Sequence, residues 1–228
     1  MSSSFNSNQA HVDSKPPPDG SGRIDHLVYA CSDLQAGMAR ITELLGVAPV
    51  VGGHHPNWGT HNALVGLGAT CYLEVIAPSP IDNSDEVRTP DVFHESGSGR
   101  LTTWAACVEN LEAFANAHAG GHPPLGALIS GSRKRADGLM LSWTLTDPAS
   151  CLFGGAVPFL IDWGDSEHPA RSLDSTCFLR WLRVAHPRPD SVESSLGALG
   201  LRDLVQVCEA PQPSLSAVIE TPGGLVEI

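Results

Sequence analysis

Two stretches decide how this chain folds: Ile24-Asp25-His26-Leu27-Val28-Tyr29-Ala30 and Tyr72-Leu73-Glu74-Val75-Ile76-Ala77-Pro78. Both are short apolar runs that read as strands, and each carries one side chain able to ligate a metal. An imidazole nitrogen and a carboxylate oxygen on two strands of one sheet can converge on a divalent cation such as zinc, manganese, iron or nickel. Two ligands alone do not hold one.

Between the two strands the spacing predicts a helix over about residues 33–45. Ser32 with Gln35 forms a capping box, Leu34, Met38, Ile41, Leu44 and Leu45 recur at helical spacing, and Gly46 ends the run. Val50-Val51 and the alternating His61 to Gly68 then give two more strands before Cys71 to Ile76. The order is strand, helix, strand, strand, strand.

The same order recurs with a strand over Leu101 to Val108, a helix over Leu111 to Ala119, and strands near 127–130, 139–146 and 157–163. A third copy runs from the strand Phe178 to Ala185 through a helix Asp190 to Leu199, with Glu193 at the reciprocal capping position, to strands near 203–208, 214–220 and 225–228. The period of roughly 77 residues is too long for a solenoid repeat. The expected fold is therefore α+β, built from βαβββ modules at 23–78, 99–163 and 177–228, behind a flexible Ser/Asn/Pro-rich tail over 1–22.

Composition narrows the function. With 228 residues, 42% of them apolar, and no run long enough to span a bilayer, the chain reads as a soluble protein with no membrane partner. The tail has no apolar core of a signal peptide, and the six cysteines, at 31, 71, 107, 151, 177 and 208, show no CxxC pairing. Buried free thiols and a cytoplasmic location follow as expectations. A net charge of −12 argues against nucleic acid, and the triplet Arg133-Lys134-Arg135 beside Gly131 and Gly138 reads as an exposed hairpin tip. No GxGxxG, phosphate loop or serine nucleophile motif occurs.

Three features carry a resemblance. Asp25-His26-Leu27-Val28 opens a module, Leu44-Leu45-Gly46-Val47 closes its helix, and Trp58-Gly59-Thr60-His61-Asn62 leads to Tyr72-Leu73-Glu74. In these the chain resembles the vicinal oxygen chelate superfamily, in its glyoxalase-like branch. The resemblance implies the cupped mixed sheet shared by glyoxalases and dihydroxybiphenyl dioxygenases, closed around a divalent metal whose ligands come from the first and last strands of each module. His26 and Glu74 fall on those positions. In the second module the matching positions hold Thr103 and Ile161, and in the third Glu227 matches Glu74, while Arg180 or Val184 matches His26.

The resemblance implies a lyase or isomerase acting on a small molecule with vicinal oxygens, the metal stabilising an oxyanion while a side chain moves the proton. His61 and Glu227 are the candidates to complete the metal shell or act as base. His55, Trp58, Thr60, Asn62 and Arg180 are the candidates to bind substrate. Asp162 is expected as a strand-end turn residue or as an orienting partner for a histidine. His94, His118, His122, His168 and His186 are expected at the surface, with His168 able to act as a lid. Two other readings stand beside this one: an extradiol-type dioxygenase needing a second histidine near His26 and Glu74, and a metal-free protein that sequesters a small ligand. An odd number of modules leaves one sheet without a partner, so a homodimer is expected.

Overall fold

The computed structural model describes residues 22–80, 97, 99–134, 138–150 and 152–228. The tail, the central part of the linker with His94, Arg135 and Cys151 lie outside the described residues, as do the Asn57 and Lys134 side chains. The first module consists of β1 (Arg23–Ala30), α1 (Leu34–Leu45), β2 (Val50–His55), β3 (Thr60–Gly66) and β4 (Tyr72–Pro78). The second repeats the order with β5 (Arg100–Cys107), α2 (Leu111–Ala117), β6 (Leu128–Lys134), β7 (Met140–Thr146) and β8 (Phe159–Asp162).

Helix α1 follows its apolar stripe: Leu34, Ile41 and Leu45 are buried, and Gly46 closes it at a φ of 69°. Its cap is Asp33 rather than Ser32. The Asp33 carboxylate accepts from the Ala36 N–H at 2.8 Å, while the Ser32 hydroxyl donates to the Gly97 carbonyl.

The two modules share one eight-stranded sheet in the order β2-β3-β4-β1-β5-β8-β7-β6. In each, the first strand pairs in parallel with the last, and β1 pairs antiparallel with β5 at the centre. The sheet curls until its outermost strands β2 and β6 come into contact. Alternation then splits the side chains between two clusters. Leu27, Leu73, Val75, Trp104 and Ala106 pack on the convex face with the helices, and Val28, Leu64, Tyr72, Phe159 and Ile161 pack on the concave face.

The third unit has the expected order of elements but another topology. It comprises β9 (Phe178–His186), α3 (Pro189–Ala198), β10 (Gln206–Glu209), β11 (Ser214–Thr221) and β12 (Gly224–Glu227), in a separate sheet ordered β10-β9-β11-β12. Here the strand after the helix lies directly beside the first strand in parallel, and β11 pairs on its other side. The connection from β10 to β11 contains Pro211 and Pro213, whose missing N–H groups prevent a continuous hairpin ladder.

The position of Glu227 therefore does not correspond to that of Glu74, because β12 is an edge strand that does not pair with β9. Leu182, Val184, Ala217 and Ile219 of this sheet join the convex core of the large one. The face that a second copy was expected to cover is thus covered within the chain. Helix α3 begins at Pro189 and has no side-chain cap, so the Asp190 and Glu193 box is not formed.

Candidate functional site

The concave face of the large sheet encloses a cavity of about 380 Å³. His26 projects into it from β1 and Glu74 from β4. The shared face follows from the parallel register, in which His26 pairs with Tyr72 and Val28 with Glu74. His26 Nε2 stands 3.8 Å from Glu74 Oε2, and both side chains are almost fully buried. Strict alternation would send Asp25 to the opposite face. Instead the ladder slips there, Ile24 facing Ala106 and His26 facing Ala105, so that Asp25 is the extra residue of a β-bulge.

The bulge turns the Asp25 carboxylate toward the histidine beside it. Asp25 Oδ1 lies 2.7 Å from His26 Nδ1, and Oδ2 accepts from Trp163 Nε1 at 2.9 Å and lies 3.1 Å from His168 Nε2. His168 Nδ1 accepts the Ala170 N–H, so its proton sits on Nε2 and is donated to Asp25. Burial pushes the Asp25 pKa up, but the hydrogen bonds and charge of His168 and His26 more than offset it and hold the group well below its ordinary range. Asp25 is therefore an ionised acceptor, and His26 must carry its proton on Nδ1. Its Nε2 lone pair faces the cavity.

Tyr72 stacks on the imidazole at 4.6 Å between centroids, and Phe159 meets it edge-on at 5.4 Å. Burial, with the charges of Asp25 and Glu74, raises the Tyr72 hydroxyl well above its usual value and keeps it neutral.

Glu74 is fixed from the other side. Gly53 N–H donates to Asn62 Oδ1 at 2.9 Å, which orients the amide so that Nδ2 donates to Glu74 Oε1 at 2.5 Å. Behind it His55 Nδ1 lies 3.1 Å from the Thr60 hydroxyl. Burial lowers the His55 pKa below 6.5 and Arg133 adds to the effect, while Glu74 opposes it.

The structure gathers His26, Glu74, His55, Trp58, Thr60 and Asn62 around one cavity. It leaves three candidates elsewhere. His61 alternates out of phase with Thr60 and Asn62, and its ring lies 5.6 Å from that of His54, so it does not supply the second histidine that the dioxygenase reading needs. Arg180 is half exposed and paired with Glu220, and Glu227 lies 4.0 Å from Arg183 on the small sheet. Both belong to the unit whose topology departs from the other two.

The second module supplies no donor in place of these. Thr103 pairs with Val28, in the same row as Glu74, and the β8 residue beside Ala105 is Phe159. Thr103, Phe159 and Ile161 all line the cavity, and none is a strong metal ligand. Among the described residues no group of three or more His, Cys, Asp or Glu side chains is arranged to hold a metal ion. Catalytic metal centres keep about three protein ligands. With His26 and Glu74 alone, the donor set does not fit a resident divalent ion.

Sequence reasoning missed Asp25, Trp163 and His168 as a set. Asp162, one of its candidates, caps α2 by accepting the Leu111 N–H at 3.0 Å. His186 was expected at the surface and is buried, accepting the Arg188 N–H.

The comparisons with known proteins agree with this architecture. A model of the glyoxalase-like domain matches residues 24–200. The chain belongs to the glyoxalase-like domain family. The match places it in the vicinal oxygen chelate superfamily.

A hypothetical protein of Staphylococcus aureus superposes with a TM-score of 0.59 at 12% identity, covering 90% of this chain and 98% of its own. This glyoxalase-like chain also matches the methylmalonyl-CoA epimerase of Mycobacterium tuberculosis over 62% of its length and 88% of the epimerase, at 18% identity and a TM-score of 0.42. No curated protein matches. No helix among the described residues is long and apolar enough to cross a membrane.

Proposed function

We propose that this glyoxalase-like protein moves a proton on a small molecule held in the concave cavity, as an isomerase or lyase whose acid–base pair is His26 and Glu74. One observation carries the reading: an imidazole locked by an ionised buried carboxylate presents its free nitrogen to a second carboxylate 3.8 Å away. One member can take a proton from a carbon next to a carbonyl while the other returns it. Asp25 stabilises the charge that His26 gains, and Asn62 keeps Glu74 aimed. The walls of Tyr72, Phe159, Trp143 and Trp163 exclude water, which strengthens each of these interactions.

The reading derives no step from a bound metal, since two donors do not make a site for one. The test is incorporation of solvent deuterium into small carbonyl compounds, followed by NMR with the purified chain in the presence of a chelator. Chelator-resistant exchange that His26→Ala abolishes is the expected result. Loss of exchange on chelation, restored by added zinc or manganese, would return the site to metal chemistry. A protein that binds these compounds and exchanges nothing would support sequestration, which the aromatic lining of the second module also suits. The free Cys31, Cys71, Cys107, Cys177 and Cys208 accord with a cytoplasmic location, which we include in the proposal.

A further inference from the structure

Arg133 and Arg100 are the two arginines that line the cavity, and the proton transfer uses neither. The sequence places Arg133 in a basic triplet that reads as a hairpin tip, yet it lies on β6, two residues beyond Gly131 and on the same face. That face is the concave one. Gly131 pairs with Trp143, and a Cβ on Gly131 would lie 2.4 Å from the indole, so the glycine exists to let the ring lie flat across β6.

The guanidinium reaches across the closing seam of the sheet to β2. A Cβ at Gly52 would sit 3.4 Å from Arg133 Nη1, and one at Gly53 would sit 3.5 Å from it. A bare backbone receives the arginine there. Asn62 lies over the same Gly52, with its other end bonded to Glu74. The cation is thus on the side of the cavity that holds the acid–base pair.

Among the described residues no ion pair involves Arg133, although the chain carries 25 acidic groups against 13 Lys and Arg. It is half-buried against apolar walls. A partly desolvated guanidinium with no counter-ion among the described residues is stabilised by an anion, and its planar fork fits a carboxylate in two-point contact.

We propose that Arg133 is the anion-binding residue of the cavity and that the ligands are small carboxylic acids with an apolar body, the carboxylate on Arg133 and the body against the aromatic wall. Small 2-oxo acids are the class that also brings a carbonyl and its acidic C–H to His26 and Glu74. The inference rests on the reading of the cavity as a small-molecule site, but it concerns binding and not turnover.

The test is quenching of the cavity tryptophans, Trp58, Trp143 and Trp163, by phenylpyruvate and by its uncharged methyl ester. Wild-type protein is expected to bind the acid about tenfold more tightly than the ester. In Arg133→Gln the preference should vanish while ester binding remains, which shows that the cavity is intact. Arg133→Lys, which keeps the charge without the fork, should retain part of the preference and answers the question if the glutamine variant does not fold. Equal binding of acid and ester by the wild type, an undiminished preference in Arg133→Gln, or binding of neither compound at millimolar concentration would overturn the proposal. His26→Ala should keep the preference. If exchange is absent while the acid is still preferred, only the proton-transfer reading falls.

Discussion

The two halves of the cavity are built by the same sequence of elements and carry different side chains. The β1 to β4 half contributes His26 and the hydrogen-bonded set of Glu74, Asn62, His55 and Thr60. The β5 to β8 half contributes Thr103, Phe159, Ile161, Trp143 and Trp163, with Arg133 at its edge. A metal centre with ligands from both modules needs polar donors on both sides. Here only one half has them, and the other has become a wall. On the proposed reading, duplicated modules separate chemistry from recognition, and each half can be attacked independently.

The largest effect should come from the chemical half. His26→Ala is expected to lower deuterium exchange by about 10²- to 10⁴-fold, the usual worth of a positioned general base, while leaving quenching by a cavity ligand within a few-fold. Loss of binding and of fold together would mean that His26 is a packing residue under Tyr72.

Asp25→Asn tests the same half one step removed. The asparagine amide would face donors on His26 or His168, and a neutral partner permits His26 to flip its proton to Nε2, where it is no longer a base. We expect a loss of exchange approaching that of His26→Ala. Removing one partner from a buried charged set should also cost stability, about 3–5 kcal/mol by thermal or denaturant unfolding. The Asp25 pKa is depressed, so its stabilisation is complete above its ordinary value of 3.8 and is lost only as pH falls through the lower folded value. The variant should therefore lose its deficit relative to wild type only in strong acid.

How much of this was legible follows the same division. In the first module, local patterns and global pairing agree: an apolar stripe ends at Gly46, alternating strands follow, and the parallel register puts His26 and Glu74 on one face, as the family resemblance implies. Asp25 was not legible because a bulge breaks the period of two, and nothing in Ile24-Asp25-His26 marks the slip. His168 lies 143 residues from the aspartate it contacts, in a loop whose path no periodicity encodes. The third unit misled for another reason. The order of elements does not specify which strands pair, and the one written sign of the difference was the proline pair at 211 and 213.

The contrast between the halves can also be erased. Thr103 stands in the same row as Glu74, so Thr103→His supplies the missing third donor across the central strand pair. The variant is expected to retain zinc through gel filtration, read as about one equivalent by elemental analysis, where the wild type retains less than about 0.1. Failure of the variant to take up zinc would show that something other than donor count keeps the metal out.

The smallest effect should appear at the boundary between the halves, in His55. Burial lowers its pKa below 6.5, and the charge of Arg133 from the opposite module lowers it further, against the pull of Glu74. The folded protein therefore holds His55 neutral where the unfolded chain would protonate it. Its contribution to stability is complete above about pH 6.5 and declines as pH falls below that value, until the folded group itself takes a proton. Replacing Arg133 by Gln removes one of the depressing charges, so the His55 resonances should titrate at higher pH in that variant. An unchanged midpoint would mean that the arginine of the second module does not act on the histidine of the first, and that the seam between β2 and β6 is electrostatically silent.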